Sequence, residues 1–146
     1  MSDVTKTNIA KLKLAVDDDD FLSFVLNVKA LAETGHLEES VNHYKETPLC
    51  YTTRVLGNKP QATAYVEELL KSGASPNVWD ADMDTPIMTA ARFGDLHLAS
   101  LLIQYNADVG LMDDTSQWSA WDTAEFNGHK EMLTLLESHG GKSGRI

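Results

Sequence analysis

The sequence predicts an all-α fold: a solenoid of stacked antiparallel helix pairs with a capping unit at each end. Three observations predict it. Gly94-Asp95-Leu96-His97 and Gly128-His129-Lys130-Glu131 lie 34 residues apart. Each follows alanine (Ala90 and Ala91 in one case, Ala124 in the other), and each precedes an apolar run, Leu98, Leu101 and Leu102 or Met132, Leu135 and Leu136. Gly73, Asn106 and Gly140 close three successive segments at spacings of 33 and 34. A period of this length marks one supersecondary unit that cannot bury its apolar face alone and must stack on its neighbours.

Residues 1–46 follow the period poorly and read as a divergent N-terminal helical cap. Four acids at 17–20 precede Phe21, Leu22, Phe24, Val25 and Leu26, and negative charge is favourable at a helix N-terminus. The helix they open is apolar nearly all round through Leu31, which predicts burial. Gly35-His36-Leu37 reads as an inter-helix turn, with a second helix ending near Tyr44 in a degenerate repeat. An unrelated helical hairpin is the alternative.

Residues 47–81 form the next unit. Thr47-Pro48-Leu49 opens helices expected at 48–56 and 64–72. The 26 residues from Thr47 to Gly73 exceed the 21 from Thr85 to Asn106, and the surplus of five is assigned to the turn-rich stretch 57–61. In residues 82–114, Thr85 can cap a free amide and Pro86 suits the first helical position. Helices are expected at 86–93 and 96–105. They end at Gly94 and Asn106, two residue types that tolerate positive φ. Residues 115–141 predict helices at 120–127 and 130–138. Lys130, Glu131, Thr134, Glu137 and Ser138 give the last helix the polar outer face of a terminal cap. Residues 142–146 read as a flexible tail.

Residues 85–94 (Thr85-Pro86-Ile87-Met88-Thr89-Ala90-Ala91-Arg92-Phe93-Gly94), with Asn106-Ala107-Asp108-Val109, resemble the ankyrin repeat and its T-P-L-H-x-A-A-x-x-G-H and G-A-D-V-N patterns. The resemblance covers about three repeats over 47–141. It implies an ankyrin-repeat solenoid with no catalytic activity of its own, which binds another protein through its turn tips and first-helix face. All three units lack the family's histidine, with Cys50, Met88 and Asp122 in its place. The hydrogen bonds it shares between repeats are therefore expected to be absent or replaced. Trp121 takes a core leucine position and is expected to pack.

Twenty-two acids against twelve bases give a net charge of −10. Residues 1–76 hold eight bases and eleven acids, and residues 77–146 four and eleven. Such a field repels nucleic acid and anionic lipid and attracts cationic partners, though it also simply keeps a protein soluble. One cysteine, Cys50, excludes an internal disulfide and a multi-cysteine zinc site. No signal peptide or membrane span is apparent, so a cytoplasmic location is expected. Gly140-Gly141-Lys142-Ser143 lacks the earlier glycine, preceding strand and following helix of a phosphate loop. The acids at 17–20 lack calcium-loop spacing, and no histidine pair has ligand spacing. No cofactor, metal or catalytic group is expected.

Aromatic placement points to a binding surface. Phe93 and Phe126 both lie ahead of an inter-helix glycine and are expected to hold equivalent places on the first-helix face. Trp79 and Trp118 flank predicted turns, where they either anchor a partner or fold back on their own helices. Asp80, Asp82, Asp84, Asp113 and Asp114 surround them, with Arg92 and Arg54 as expected neighbours on the first-helix face. Aromatics ringed by acids suit a protein partner with a basic surface. The expected role is adaptor or inhibitor. The alternative is an acidic decoy that blocks a nucleic-acid-binding or other basic enzyme, distinguishable by its steep salt dependence. Self-association is left open.

Overall fold

The computed structural model describes residues 2–145. Among them are eight helices and no strand. The helices are α1 (Asp3–Asp17), α2 (Phe21–Glu33), α3 (Pro48–Leu56), α4 (Ala62–Lys71), α5 (Pro86–Phe93), α6 (Leu96–Gln104), α7 (Ala120–Phe126) and α8 (Lys130–Ser138). Short connections fold α3 onto α4, α5 onto α6 and α7 onto α8, and α1 packs on α2 in the same way. The pairs stack in two rows. A first-helix row runs α1, α3, α5, α7, and a second runs α2, α4, α6, α8.

The six expected helices from residue 48 onward all form, and the connection between α3 and α4 spans 57–61, where the surplus residues were assigned. Burial follows helical spacing. Leu98, Ala99, Leu101 and Leu102 of α6 and Tyr65, Val66, Leu69 and Leu70 of α4 lie in one continuous core. Gly57 permits a close approach of α3 to α5 in the first-helix row. A Cβ there would stand 2.5 Å from the Thr53 carbonyl and 2.6 Å from the Thr89 methyl group. Gly94 ends α5 at φ 66°, and Asn106 follows α6 at φ 70°, so both left-handed positions match their residue types. A side chain at Gly94 would also strike the ring of His129, 2.7 Å away.

The N-terminal segment departs from expectation. Its helix pair is α1 with α2, one helix earlier than the sequence suggests, and residues 34–47 form turns rather than a second helix. The reason is local. Asn42 Oδ1 accepts the amides of Tyr44 (3.1 Å) and Glu46 (3.4 Å), a side-chain competitor to the helical ladder. Nor is α2 buried all round. Phe24, Val28 and Leu31 are buried, whereas Leu22 and Leu26 are exposed, because α2 ends its row and has neighbours only on one side.

Of the four acids, only Asp20 caps α2, accepting the Ser23 amide at 3.1 Å. Asp17 and Asp19 accept the hydroxyls of Tyr51 (2.5 Å) and Tyr65 (2.6 Å), fastening the first helix pair to the second. Two further expectations change. The Thr85 hydroxyl is buried without a hydrogen-bond partner among the described residues, and the Thr85 amide instead faces the Met88 sulfur at 3.5 Å. Residues 142–145, expected as a free tail, return to α7 through bonds to Ser119 and Asp122. Ile146, the last residue of that expected tail, lies outside the described residues.

Leu102 is wholly buried at the centre of the second row. Replacement by Ala removes contacts to both neighbouring pairs, and a chemical melt should show a loss of about 2–5 kcal/mol. A loss below roughly 1 kcal/mol would place Leu102 outside the core.

Candidate protein-binding face

The first-helix row presents a recurring pair: the residue just before a helix start and the residue eight positions later. In the second helix pair this is Glu46 with Arg54. Glu46 is fully buried and accepts four donors: Arg54 Nε and Nη2 at 2.8 Å each, Asn42 Nδ2 at 2.8 Å and the Ala81 amide at 2.9 Å. Burial pushes the carboxyl up, but these donors outweigh it and hold the group below the ordinary glutamate range. Because Ala81 belongs to the next turn, Glu46 links two turn tips. Arg54 also lies over the Tyr51 ring, 5.7 Å from its centroid.

In the third pair the same positions hold Asp84 and Arg92, which form an ion pair. Among the described residues no amide from the following turn reaches Asp84, and burial raises its carboxyl despite the opposing effect of Arg92. In the fourth pair the positions hold Trp118 and Phe126, whose ring centroids lie 5.4 Å apart. The ion pair is thus replaced by an aromatic pair. Lys45, Met83 and Gln117, each one residue before the pair's first member, all have positive φ (62°, 63°, 60°). The three tips therefore share one backbone shape, although none uses glycine there.

Between α5 and α7 the surface opens into a cleft of about 260 Å³, lined by Asp84, Met88, Arg92, Asp113, Trp118 and Phe126, among others. Four expected site residues, Asp84, Arg92, Trp118 and Phe126, come together in it. Asp82 and Asp114 are exposed on the adjoining tips. Trp79 is 36% exposed at the neighbouring tip and is not part of the cleft wall. Phe93 is 44% exposed and lines a separate hollow with residues 57–60 of the preceding unit.

The expected equivalence of Phe93 and Phe126 does not hold. Counting from the helix starts at Thr85 and Ser119, Phe126 aligns with Arg92, while Phe93 aligns with Asn127. Asp113, expected among the acids around the aromatics, lines the cleft, whereas sequence reasoning missed Met88 and Ser116. The spacing of eight between Glu46 and Arg54, repeated by Asp84 and Arg92, was the signal available.

The three residues that replace the family's histidine differ in what they join. The Cys50 thiol, buried, donates to the Trp79 carbonyl in the next tip at 3.1 Å. Burial pushes this thiol up to about 11. Asp122, also buried, accepts the Ser119 and Gly144 amides at 3.0 and 2.8 Å. Met88 makes its only described polar contact within its own turn. His129 bridges units instead, with Nε2 2.9 Å from the Arg92 carbonyl. Trp121 packs partly against the core and donates its indole N–H to Glu137 at 2.9 Å.

The family model for ankyrin repeats (3 copies) matches residues 58–144, more than half of the chain. Over 64 residues the chain is 36% identical to ankyrin repeat and SAM domain-containing protein 6 of Rattus norvegicus, a stretch that is 44% of this chain and 7% of that protein. Potassium channel GORK of Arabidopsis thaliana is 36% identical over 75 residues, 50% of this chain and 9% of the channel. An ankyrin repeat protein of Acanthamoeba polyphaga mimivirus is 28% identical over 97 residues, 66% of this chain and 57% of the viral protein. The chain therefore spans a small part of the first two relatives and just over half of the third.

Behind the tips, Asp80 is buried, and its Oδ1 accepts the amides of Asp82 (2.8 Å) and Asp84 (3.0 Å). Burial pushes its carboxyl up to about 6, the charges of Asp84 and Asp82 add to this, and the two amide bonds oppose it. The folded value exceeds the ordinary 3.8, so the native state holds the proton more tightly. This contribution to stability is full below about pH 3.8 and is lost as pH rises through about 6. Asp80→Asn keeps the one accepting oxygen and removes the buried charge. At pH 7.5 the variant should be more stable than the parent by about 1–3 kcal/mol, at 1.4 kcal/mol per pH unit, with the advantage vanishing by about pH 4. Denaturant melts across that range check it, and a difference independent of pH would refute the assignment.

Proposed function

The chain belongs to the ankyrin-repeat family, and on that premise we propose that it is a non-catalytic adaptor or inhibitor that binds a partner protein. Ankyrin repeats generally mediate protein–protein interaction. The proposed surface is the first-helix face between α5 and α7 with the adjoining tips. Its centre is Trp118 and Phe126, with Asp84 and Arg92 beside them and Asp82 and Asp114 on the rim. Trp79 extends it along the tips and Phe93 lies at its margin. We take 47–81, 82–114 and 115–141 as the repeats, with 1–46 as the capping segment.

The observation that supports this best is the substitution of an aromatic pair for an ion pair at the edge of the cleft. Phe126 is 75% exposed and lies against Trp118, so the two rings offer an apolar contact that a partner could cover. Aromatic anchors bury large area at low rotamer cost, and acids around them favour a partner with a basic rim. The same acids disfavour direct contact with nucleic acid or an anionic membrane. No helix among the described residues is long and apolar enough to cross a membrane. A lone buried thiol is in keeping with action in the cytoplasm.

Phe126→Ala should leave the melting curve unchanged, because so little of the ring is buried. Once a partner has been captured from native lysate and identified, calorimetry should show at least about a tenfold loss of affinity for this variant. Phe93→Ala should cost less, and Glu131→Ala on α8 should cost nothing measurable. Unchanged affinity for Phe126→Ala would move the interface elsewhere. A steep fall of binding with salt, insensitive to Phe126, would favour the acidic decoy instead.

A further inference from the structure

Residues 142–145 turn back across the start of α7 and are held there at successive points. The Ser119 hydroxyl donates to the Lys142 carbonyl at 2.7 Å, the Ser143 hydroxyl to Asp122 Oδ1 at 2.5 Å, and the Gly144 amide to Asp122 Oδ2 at 2.8 Å. These contacts deliver Arg145 to Trp118. Its guanidinium carbon lies 5.2 Å from the indole centroid, and its Nε is 3.4 Å from Asp122 Oδ1. Trp118 also lies beside Phe126, in a tilted pair. A planar cation lying over an indole while its edge reaches a buried carboxylate is a geometry that guanidinium satisfies and ammonium does not.

The residue before the arginine is equally constrained. A Cβ at Gly144 would stand 2.2 Å from the Gln117 carbonyl and 2.6 Å from the Met112 sulfur. The backbone oxygen cannot yield as a flexible side chain could. Only glycine fits at this point of the track.

We propose that Trp118, Asp122 and the Gln117 carbonyl form a recognition site for a Gly-Arg step, occupied in cis by Gly144 and Arg145 and taken in trans by a Gly-Arg segment of the partner protein. The proposal rests on the protein-binding reading of this face and names the chemistry of the segment it takes. The Arg145 side chain is half exposed, so exchange does not require the core to open. The segment competes as a tethered ligand, and tethering by a short linker raises the local concentration to the millimolar range. The net negative charge of residues 77–146 draws an arginine-bearing chain toward the site.

The test uses the full chain and the peptide acetyl-Lys-Ser-Gly-Arg-amide, with the Trp118 indole N–H resonance as readout. Arg145→Ala should shift that resonance while the rest of the spectrum stays folded. Gly144→Ala with Arg145→Ala should shift it further by expelling the segment. This double variant should bind the peptide at least about tenfold more tightly than the parent, and saturation should return the resonance toward its parental position. Peptides with Ala for Gly or Lys for Arg should bind at least about tenfold more weakly. An unmoved indole resonance in Arg145→Ala, or equal binding of the three peptides, would overturn the proposal. If the peptide fails while Phe126→Ala still weakens the captured partner, the Gly-Arg site falls and the protein-binding reading stands. If the peptide binds as expected and the partner ignores Phe126→Ala, the site stands and that reading falls.

Discussion

No helix pair in this chain can bury its own apolar surface. Leu98, Ala99, Leu101 and Leu102 of α6 are covered by α5 together with α4 and α8, which lie on either side of it. Everything else is subordinate to that mutual burial. Glycine is demanded where α3 meets α5 and where His129 lies on the end of α5. Left-handed residues recur where each unit closes. The two-row stack also holds the positions before each first helix in line, so that a change at one of them alters the exposed face without disturbing the fold.

That separation explains the use made of the recurring pair. Glu46 is deeply committed: it satisfies two donors from Arg54, one from Asn42 and one from the following tip. Asp84 keeps only its arginine, and the adjacent surface opens. Trp118 and Phe126 have lost the charges altogether. Along one face the same two positions pass from a structural ion pair to a partly engaged one to an aromatic pair in which Trp118 takes Arg145 and Phe126 stays exposed. A buried ion pair is expensive to break but adds little net stability over packed apolar groups, so its replacement in the last unit need not weaken the stack.

Much of the stack was legible in the residues. Thr-Pro helix starts, glycine or asparagine at left-handed closures and leucine pairs at helical spacing are local signals, and from residue 48 they located each helix to within about two residues. The N-terminal pair was misplaced because its decisive interactions are not local. Gly35-His36-Leu37 imitates an inter-helix turn, yet the partner of α2 is α1, and the acids that resemble a simple cap serve Tyr51 and Tyr65 more than thirty residues away. The return of residues 142–145 was hidden for the same reason, since a glycine-rich run reads as flexible until a buried Asp122 supplies partners. At the site, Asp84, Arg92, Trp118 and Phe126 were found individually. Their common geometry emerged only from aligning the helix starts, which also separates Phe126 from Phe93.

The placement of the single thiol has a practical consequence for watching this molecule move. Cys50 sits at the seam between the second and third helix pairs, shielded from solvent and tied to the Trp79 carbonyl in the next tip. Its raised pKa leaves almost no thiolate at neutral pH, and thiolate is the reactive form. Alkylation must therefore wait for the seam to part. The rate of labelling by a small electrophile reports how often the third helix pair unzips from the second, with no introduced probe and no competing cysteine in the sequence. In a quasi-one-dimensional stack that local parting is the elementary step of unfolding, and this chain carries its own clock for it.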